Sequence, residues 1–394
     1  TYAEDVIVDR SVILQGANAG IAGNGVRGAE SLIDPSSPFG IEVRADDVTI
    51  DGFEITGLNR DGINVRPTNS GPGVSTRGNI VIQNNYIHET FVPGAQVNGI
   101  VFGEKVGGGP DSTDAATISF VTIADNFIDV TDDNTARGIV MTGQFASIHY
   151  ENFDITGNVI QAKNNGLFFT EDPAIYTAAG IEILDNTFES PGSTGINAGN
   201  LDSTSKVNGN TFINNASGAA LNFAEPGGEV LNNIFENNTN VGLFFFDDTY
   251  FPQSSENPTV TGNTFTNNSR QVGGSAPAVD LDAIQNNNSL DGNVKVSSNN
   301  NLYGHIQDAI DAAMPGDVVT VVLNVTYTEN VDVNQAVTLM GEATVDGSVT
   351  ASVAGATIAP GFSPGSFTST DLILTAGSSL NVEIDGLSGA GVTG

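Results

Sequence analysis

Apolar and polar residues alternate in short runs along this chain, and the runs recur with fixed punctuation between them. One phrase reads apolar–x–apolar–x–(Gly/Asp/Asn)–Asn–x–apolar. It spans Ile80–Ile87 around Asn85, Val121–Ile128 around Asn126, Phe153–Ile160 around Asn158 and Ile181–Phe188 around Asn186. Shorter copies centre on Asn210, Asn233 and Asn263, and a weaker last copy on Asn293. The first copy, Val48–Ile55, carries Phe53 in the asparagine position. A second phrase, close to Gly–Ile–x–Val, alternates with the first at Gly62, Gly99, Gly138, Gly166 and Gly195, with looser copies at Ala219, Gly242 and Ala278. Period-two alternation places Val, Ile and Phe on one side of an extended strand and polar residues on the other. Each unit therefore holds two or three short strands separated by tight turns.

The interval between equivalent asparagines runs from 23 residues (Asn210 to Asn233) to 41 (Asn85 to Asn126). The shorter figure suits one coil of a β-solenoid rather than a propeller blade. Extra residues in longer units must loop out, because strands that lengthened would break the stack. Asparagine tolerates left-handed turns. Its amide both donates and accepts, so identical residues about 4.8 Å apart can bond along the stack. These features predict an all-β, right-handed parallel β-helix with a ladder of Asn85, Asn126, Asn158, Asn186, Asn210, Asn233, Asn263 and Asn293. The alternative is that these residues only form turns. Either way, the most abundant polar motif has an architectural cause.

Residues 1–16, TYAEDVIVDRSVILQG, match residues 326–341, TYTENVDVNQAVTLMG, at eight of sixteen positions without gaps. Two copies of one module start are present. Ahead of the second, Ile306, Ala309, Ile310 and Ala313 fall on one helical face, and Pro315-Gly316-Asp317 ends the helix. An amphipathic helix over about 304–314 would cap the open end of a β-stack and cover its strand edges. The chain accordingly divides into a β-helix over 1–300 and a second β module over 301–394 opened by that helix. The first start has no such lead-in. Thr1 thus reads as the beginning of a processed chain or fragment, or as a coil covered by another copy in head-to-tail assembly.

The segment from Ile306 through Gly341, with the asparagine-marked coils, resembles pectin-lyase-like right-handed parallel β-helix repeat proteins. The tail, Ala356–Gly365 and then Leu372–Ile384, resembles repeats of autotransporter passengers and other large bacterial surface proteins. That resemblance implies a fold and a surface setting. It implies no single activity, since the superfamily spans lyases, hydrolases, epimerases, adhesins and inert stalks.

Composition narrows the setting. Twelve Lys and Arg stand against 46 Asp and Glu, a formal charge of −34 that would repel nucleic acid and anionic membrane surfaces. There is no cysteine, hence no disulfide or thiol chemistry. No apolar run approaches the roughly 18 residues of a membrane span. None of this places the chain in a compartment; it is the resemblance of the coils and tail to secreted and surface proteins that implies a secreted or cell-surface (extracellular) location.

Chemistry is sparse at this level. Arg60, Arg66, Arg77, Lys105, Arg137 and Lys163 scatter over different coils and read as solvated surface positions. His88 and His149 show no sequence-level partner. The acidic pairs Asp132-Asp133 and Asp247-Asp248 are weak Ca²⁺ candidates, since calcium takes loop carboxylates; Asp46-Asp47 is similar. No cofactor is required by any motif. The Gly-His-Gly and Arg-Ile-Lys motifs of polygalacturonase-like members and the Asp-Pro-His of mannuronan epimerases are missing. Long insertions near 18–40, 66–79, 103–117, 170–179 and 247–257 would form one decorated side, flanked by Phe102, Phe168, Phe169 and Phe244 to Phe246, of which alternate rings belong to the core. Sequons at Asn215, Asn237, Asn267, Asn287 and Asn324 recur as chance products of an asparagine-rich repeat. The resulting expectation is a non-catalytic structural or adhesive surface module that self-associates or joins neighbouring repeats. The alternative is a polysaccharide lyase or hydrolase, or a glycan-binding β-helix. An enzyme would bring a basic residue and at least two carboxylates together in one groove.

Overall fold

The computed structural model describes residues 1–3, 6–35, 38–58, 60–67, 75–88, 97–103, 116–132, 134–142, 148–169, 176–247, 256–276, 279–299, 301–322, 325–361 and 365–382. Their strands stack in parallel, and ten coils can be traced. Each coil contributes in turn to sheet 1, sheet 2 and sheet 3. Coil 3, for example, is Asp61–Val65, Ser75–Gln83 and Tyr86–His88. Coil 6 is Leu167–Phe169, Tyr176–Leu184 and Thr187–Glu189. Each strand pairs with its counterparts one coil earlier and later, as Asn98 aligns with Asp61 and with Arg137. This is a right-handed parallel β-helix, the hand that parallel crossovers take almost without exception.

The turn from sheet 2 to sheet 3 explains the first sequence phrase. The residue before each ladder asparagine has positive φ: Asn84, Asp125, Gly157, Asp185, Gly209, Asn232 and Gly262. The asparagine itself then points inward. Asn158 Nδ2 donates to Asn186 Oδ1 at 2.9 Å, Asn186 to Asn210 at 3.0 Å, and Asn210 to Asn233 at 3.0 Å. Each Oδ1 also accepts from the backbone N–H of the preceding asparagine, and each amide reaches a strand carbonyl further up, as Asn186 reaches Ile155. Left-handed geometry and amide bonding, which one residue could have combined, are thus split between two neighbours. Above Asn85 the backbone N–H of Phe53 donates to Asn85 Oδ1, so the ladder begins without a side-chain amide there.

Asn293 is a correction. The rung below Asn263 is Asn288, whose Oδ1 accepts from the N–H and Nδ2 of Asn263, each at 2.8 Å. In coil 10 a helix, α1 (Leu281–Asn287), occupies the sheet 2 position and packs on Thr259–Thr261. Its C-cap residue delivers the amide, so the spacing shortens to 25 residues. Asn293 is fully buried elsewhere, and its N–H donates to the Tyr327 hydroxyl.

The second phrase has a packing cause. A Cβ on Gly62 would lie 2.6 Å from Ile87 Cγ2, and one on Gly195 would lie 3.0 Å from Phe212 Cδ1. The glycines of sheet 1 make room for the inward residue of sheet 3. That residue is Ile in coils 2 to 5, Phe in coils 6 to 9 and Leu290 in coil 10; Phe188, Phe212, Phe235 and Phe265 stack with centroids 5.3, 4.8 and 4.8 Å apart. Stacked rings contribute about 0.5–1.5 kcal/mol per pair beyond burial.

Polarity reverses after coil 10. Asn301–Tyr303 runs antiparallel to Arg270–Gly274, and Val294–Val296 runs antiparallel to Asn301–Tyr303 and to Val318–Val321. Parallel stacking then resumes through Thr338–Gly341, Thr357–Pro360 and Ser379–Leu380. Helix α2 (Ile306–Ala312) buries Ile306, Ala309 and Ile310 against these strands. One apolar cluster runs from Val8 to Leu302 and a second from Val294 to Ile358.

Replacing Asn186 by Ala orphans the backbone N–H of Asn158 and removes the amide bonds to Asn158, Asn210 and the carbonyls of Ile155 and Leu184. Urea unfolding should show a loss of about 3 kcal/mol or more, because buried polar groups left unpaired cost roughly 1–3 kcal/mol each. Asn240→Ala, at an exposed position, should cost under about 1 kcal/mol.

Candidate functional site

Sheet 1 has Ile41, Val43, Ile63 and Val65 in the core, so alternation turns Glu42, Arg44, Asn64 and Arg66 to its outer side. There they meet. Arg44 grips Glu42 with two bonds, Nε–Oε1 at 2.7 Å and Nη2–Oε2 at 2.6 Å. Arg66 Nε lies 3.0 Å from both Glu42 Oε1 and Asn64 Oδ1. Asp61 accepts from Asn64 Nδ2 on one oxygen and from Asn98 Nδ2 on the other, each at 2.8 Å. Arg60 stands 3.9 Å from Asp61. The Arg60 and Arg66 guanidinium groups lie 5.7 and 4.6 Å from the Phe39 ring centroid, and Arg137 lies 4.3 Å from that of Phe168.

The arginines therefore do not scatter. Phe39, Asp61, Asn98 and Arg137 share one register row across four successive coils, separated in sequence but one rung apart in space. Arg66 and Arg77 are buried rather than solvated. Arg77 is a brace: its Nη1 donates to Asp46 and its Nε to the Arg66 carbonyl. Five of the twelve cations, Arg44, Arg60, Arg66, Arg77 and Arg137, gather here against the carboxylates Glu42, Asp46 and Asp61. Asp9 also acts on Arg44, so among the described residues five arginines meet four carboxylates, on a chain of net charge −34.

Asp61 is the chemically distinctive member. Burial pushes its carboxyl above the ordinary range, and the bonds from Asn98 and Asn64 with the charges of Arg60 and Arg66 only partly offset that. Burial likewise lowers Arg66, opposed by Glu42, and Arg66 Nη1 and Asn98 Oδ1 are buried without hydrogen-bond partners among the described residues. Asp61 is fully buried with both oxygens bonded inside the cluster, while Arg44 and Arg60, nearly half exposed, can meet an anionic group.

Other expected positions are described only in part. Asp132 is exposed, Asp247 donates its N–H to Ser275 Oγ, and Asp133 and Asp248 lie outside the described residues. Among the described residues no three His, Asp or Glu side chains converge in a way that suits a metal ion. His88 has a partner after all, Glu54 at 2.9 Å. Lys105 and most of the insertions, 68–74, 104–115, 170–175 and 248–255, lie outside the described residues. The insertion after residue 18 is a brace instead: Arg27 donates to the carbonyls of Asn84 and Phe53. Phe102, Phe169 and Phe245 are core, while Phe168, Phe244 and Phe246 are half-buried. Asn215 is fully buried, which rules out its sequon.

Two features went unread in the sequence. A second amide ladder, Asn215–Asn238–Asn268, occupies the turn from sheet 3 to sheet 1, with amide bonds of 3.0 and 2.8 Å; the thrice-repeated Phe-x-Asn-Asn marks it. Outside sheet 2, Asp154, Glu182, Lys206 and Glu229 form a row beside a hollow of about 700 Å³. Lys206 bonds Glu182 at 2.6 Å, and burial followed by the Glu182 charge raises the Asp154 carboxyl.

The family described as "Periplasmic copper-binding protein (NosD)" matches residues 117–308. No curated protein matches. Among solved structures, the Azotobacter vinelandii mannuronan C-5 epimerase AlgE4 A-module is similar at 11% identity, with 98% of this chain and 90% of that one covered and a TM-score of 0.27. The Dettilon tailspike protein is similar at 10% identity, with 84% and 62% covered and a TM-score of 0.19.

Asp61 gives a pH test. Its folded pKa lies above its unfolded value, so the native state holds the proton more tightly and stability falls as pH rises from about 4 through the folded pKa. Asp61→Asn, which keeps the amide contacts within reach, should flatten that fall and raise Tm at pH 7 relative to wild type. A thermal-melt series from pH 4 to 8 would show it. In fold, the chain is a right-handed parallel β-helix built of repeated coils.

Proposed function

We propose that this chain is an exported adhesive module, a rigid β-helix that holds an acidic polysaccharide along the outer side of sheet 1. The observation that carries this is the gathering of Arg44, Arg60, Arg66 and Arg137 with Phe39, Phe168 and the carboxyl of Asp61 on consecutive rungs. Rungs repeat at the strand spacing of about 4.8 Å. A sugar residue of an extended polysaccharide therefore covers roughly one rung, and the row offers successive subsites. Arg44 and Arg60 would meet carboxylates and the half-buried Phe168 ring a sugar face, with Asp61 and Asn98 holding the row from beneath. The exported setting rests on the acidic, cysteine-free composition and on the match to a family described as periplasmic. Among the described residues no helix is long and apolar enough to cross a membrane.

Copper has no part in this proposal. The chain has no Cys, three His and three Met; His88 is committed to Glu54, and Met141 is buried while Met314 is exposed on another module. That donor set does not fit a copper centre.

A second reading, polysaccharide cleavage, is favoured by one observation: a raised carboxyl beside a carboxylate and arginines meets the convergence expected of an enzyme. The two are separated by one panel. Calorimetry with polygalacturonate, alginate and a neutral glucan should show salt-dependent binding to an anionic polymer only. Arg44→Ala with Arg60→Ala should weaken it by about tenfold or more. Release of shortened or unsaturated products would replace the adhesive reading with the catalytic one, and no binding to any anionic polymer would remove both.

A further inference from the structure

The long strands of sheet 2 in coils 3 to 6 bend at one register position. Gly78, Ser119, Glu151 and Ala179 align just before the bend, and Ile80, Val121, Phe153 and Ile181 just after it. The residue between them has positive φ in every one of these coils: Asn79, Phe120, Asn152 and Gly180. Asparagine and glycine take that conformation readily, and a bulky aromatic does so rarely. Phe120 is also 62% exposed, so its ring is held in solvent and not in the core. Neither packing nor turn chemistry asks for a ring there.

Below coil 6 a turn over 202–205 takes the place of the bend. Asp202 Oδ1 accepts from the Gly180 N–H at 3.1 Å, and Ser205 Oγ from the Ile181 N–H at 3.2 Å, so side chains close the edge of coil 6. The hollow outside sheet 2 opens here, where Gly180 and Gly227 offer no side chains to fill it. The row Asp154–Glu182–Lys206–Glu229 supplies one residue per rung over coils 5 to 8, and Asn152, Ser203 and Thr204 add an amide and two hydroxyls. Phe120 stands one rung above Asn152 and diagonal to Asp154.

The charge of the hollow selects its occupant. Lys206 is held by Glu182 at 2.6 Å, and Glu229 accepts from Asn208 Nδ2 at 3.3 Å. Asp154 Oδ1, by contrast, is buried without a hydrogen bond. Burial, and then the Glu182 charge, hold the Asp154 carboxyl above its ordinary range, which an adjacent cation would reverse. Three carboxylates against one lysine repel an anion, so the hollow does not repeat the arginine cluster of sheet 1. Among the described residues no three carboxylates converge in a way that suits a metal ion. A primary ammonium remains: it brings three donors to Asp154 and its neighbours. An exposed phenyl ring takes a cation or the apolar face of a sugar. A plain polyamine would leave Asn152, Ser203 and Thr204 without a role, and sugar hydroxyls give them one.

We propose that the hollow on sheet 2 binds an oligosaccharide of amino sugars with free ammonium groups, Asp154 taking an ammonium and Phe120 a ring face. Rungs lie about 4.8 Å apart, so coils 4 to 8 accommodate roughly four sugar residues. The site lies on a different sheet from the arginine cluster and does not rest on the acidic-polysaccharide reading.

Calorimetry on the full chain with a glucosamine tetramer, at mildly acidic pH where its amines are charged, tests this. One tetramer should bind per chain. Asp154→Asn should weaken binding by about tenfold or more. Phe120→Asn should weaken it by about fivefold or more while Tm holds or rises, because asparagine already occupies this bend in coils 3 and 5. That Tm shows that folding is intact, and Phe120→Tyr should keep the affinity. The N-acetylated tetramer and spermine should each bind more weakly by about tenfold or more. Absence of binding would overturn the proposal. So would equal binding of the N-acetylated tetramer, which lacks the ammonium, or of spermine, which lacks the sugar. Affinity that survives both Asp154→Asn and Phe120→Asn would also overturn it, as the general attraction of a chain of net charge −34 for any oligoamine.

Discussion

A polar group turned into a stack of strands must find its partner along the stack, because nothing else is within reach. The side-chain amide solves this for any number of rungs: it carries both a donor and an acceptor, and a rung above and a rung below present the same group. Here two such columns exist at two different corners, Asn85 to Asn288 and Asn215 to Asn268. The backbone N–H of each asparagine is tied to the next amide oxygen, so the column also fixes where each turn sits. Register in sheets 1, 2 and 3 follows from that. Once corners are aligned, rows such as Phe39–Asp61–Asn98–Arg137 are aligned too.

Much of the scaffold was legible because its physics is local and repeated. Alternating apolar residues, a left-handed residue before the amide and a glycine opposite a bulky ring each leave a mark within eight residues. Asn288 was not legible as a rung because the element before it changed type, and α1 consumed fewer residues than a looped strand would. The second ladder was legible in principle from Phe-x-Asn-Asn, but its asparagines resembled ordinary turn formers. The candidate site was harder. Asp61, Asn98 and Arg137 differ in chemistry, so no repeated letter links them. Only their common place, one residue before Gly62, Gly99 and Gly138, reveals that they are neighbours.

The same geometry accounts for the rigidity of this cluster. Each member sits on a strand of sheet 1 whose opposite side is core, so its backbone has little freedom. Glu42 is held by two arginines, and Asp61 by two amides, before any ligand arrives. Such a preset arrangement reduces the ordering that binding would otherwise require. Buried charge is not cheap, however, and the raised Asp61 and lowered Arg66 mark where the fold gives up stability to keep these groups together.

The glycine column has a consequence for how this kind of protein can change length. Gly166 faces Phe188, Gly195 faces Phe212 and Gly218 faces Phe235, each Phe occupying the space a Cβ would take. Neither partner is interchangeable alone, since a larger residue in sheet 1 would displace the ring and a smaller one in sheet 3 would leave a void. The pair travels with its asparagine within one coil of about two dozen residues. A whole coil can therefore be duplicated or deleted and still mesh with what lies on either side, whereas a fragment of one cannot. Heredity in such a chain works in steps of a full turn, and the number of turns is free to vary where the sequence within a turn is not.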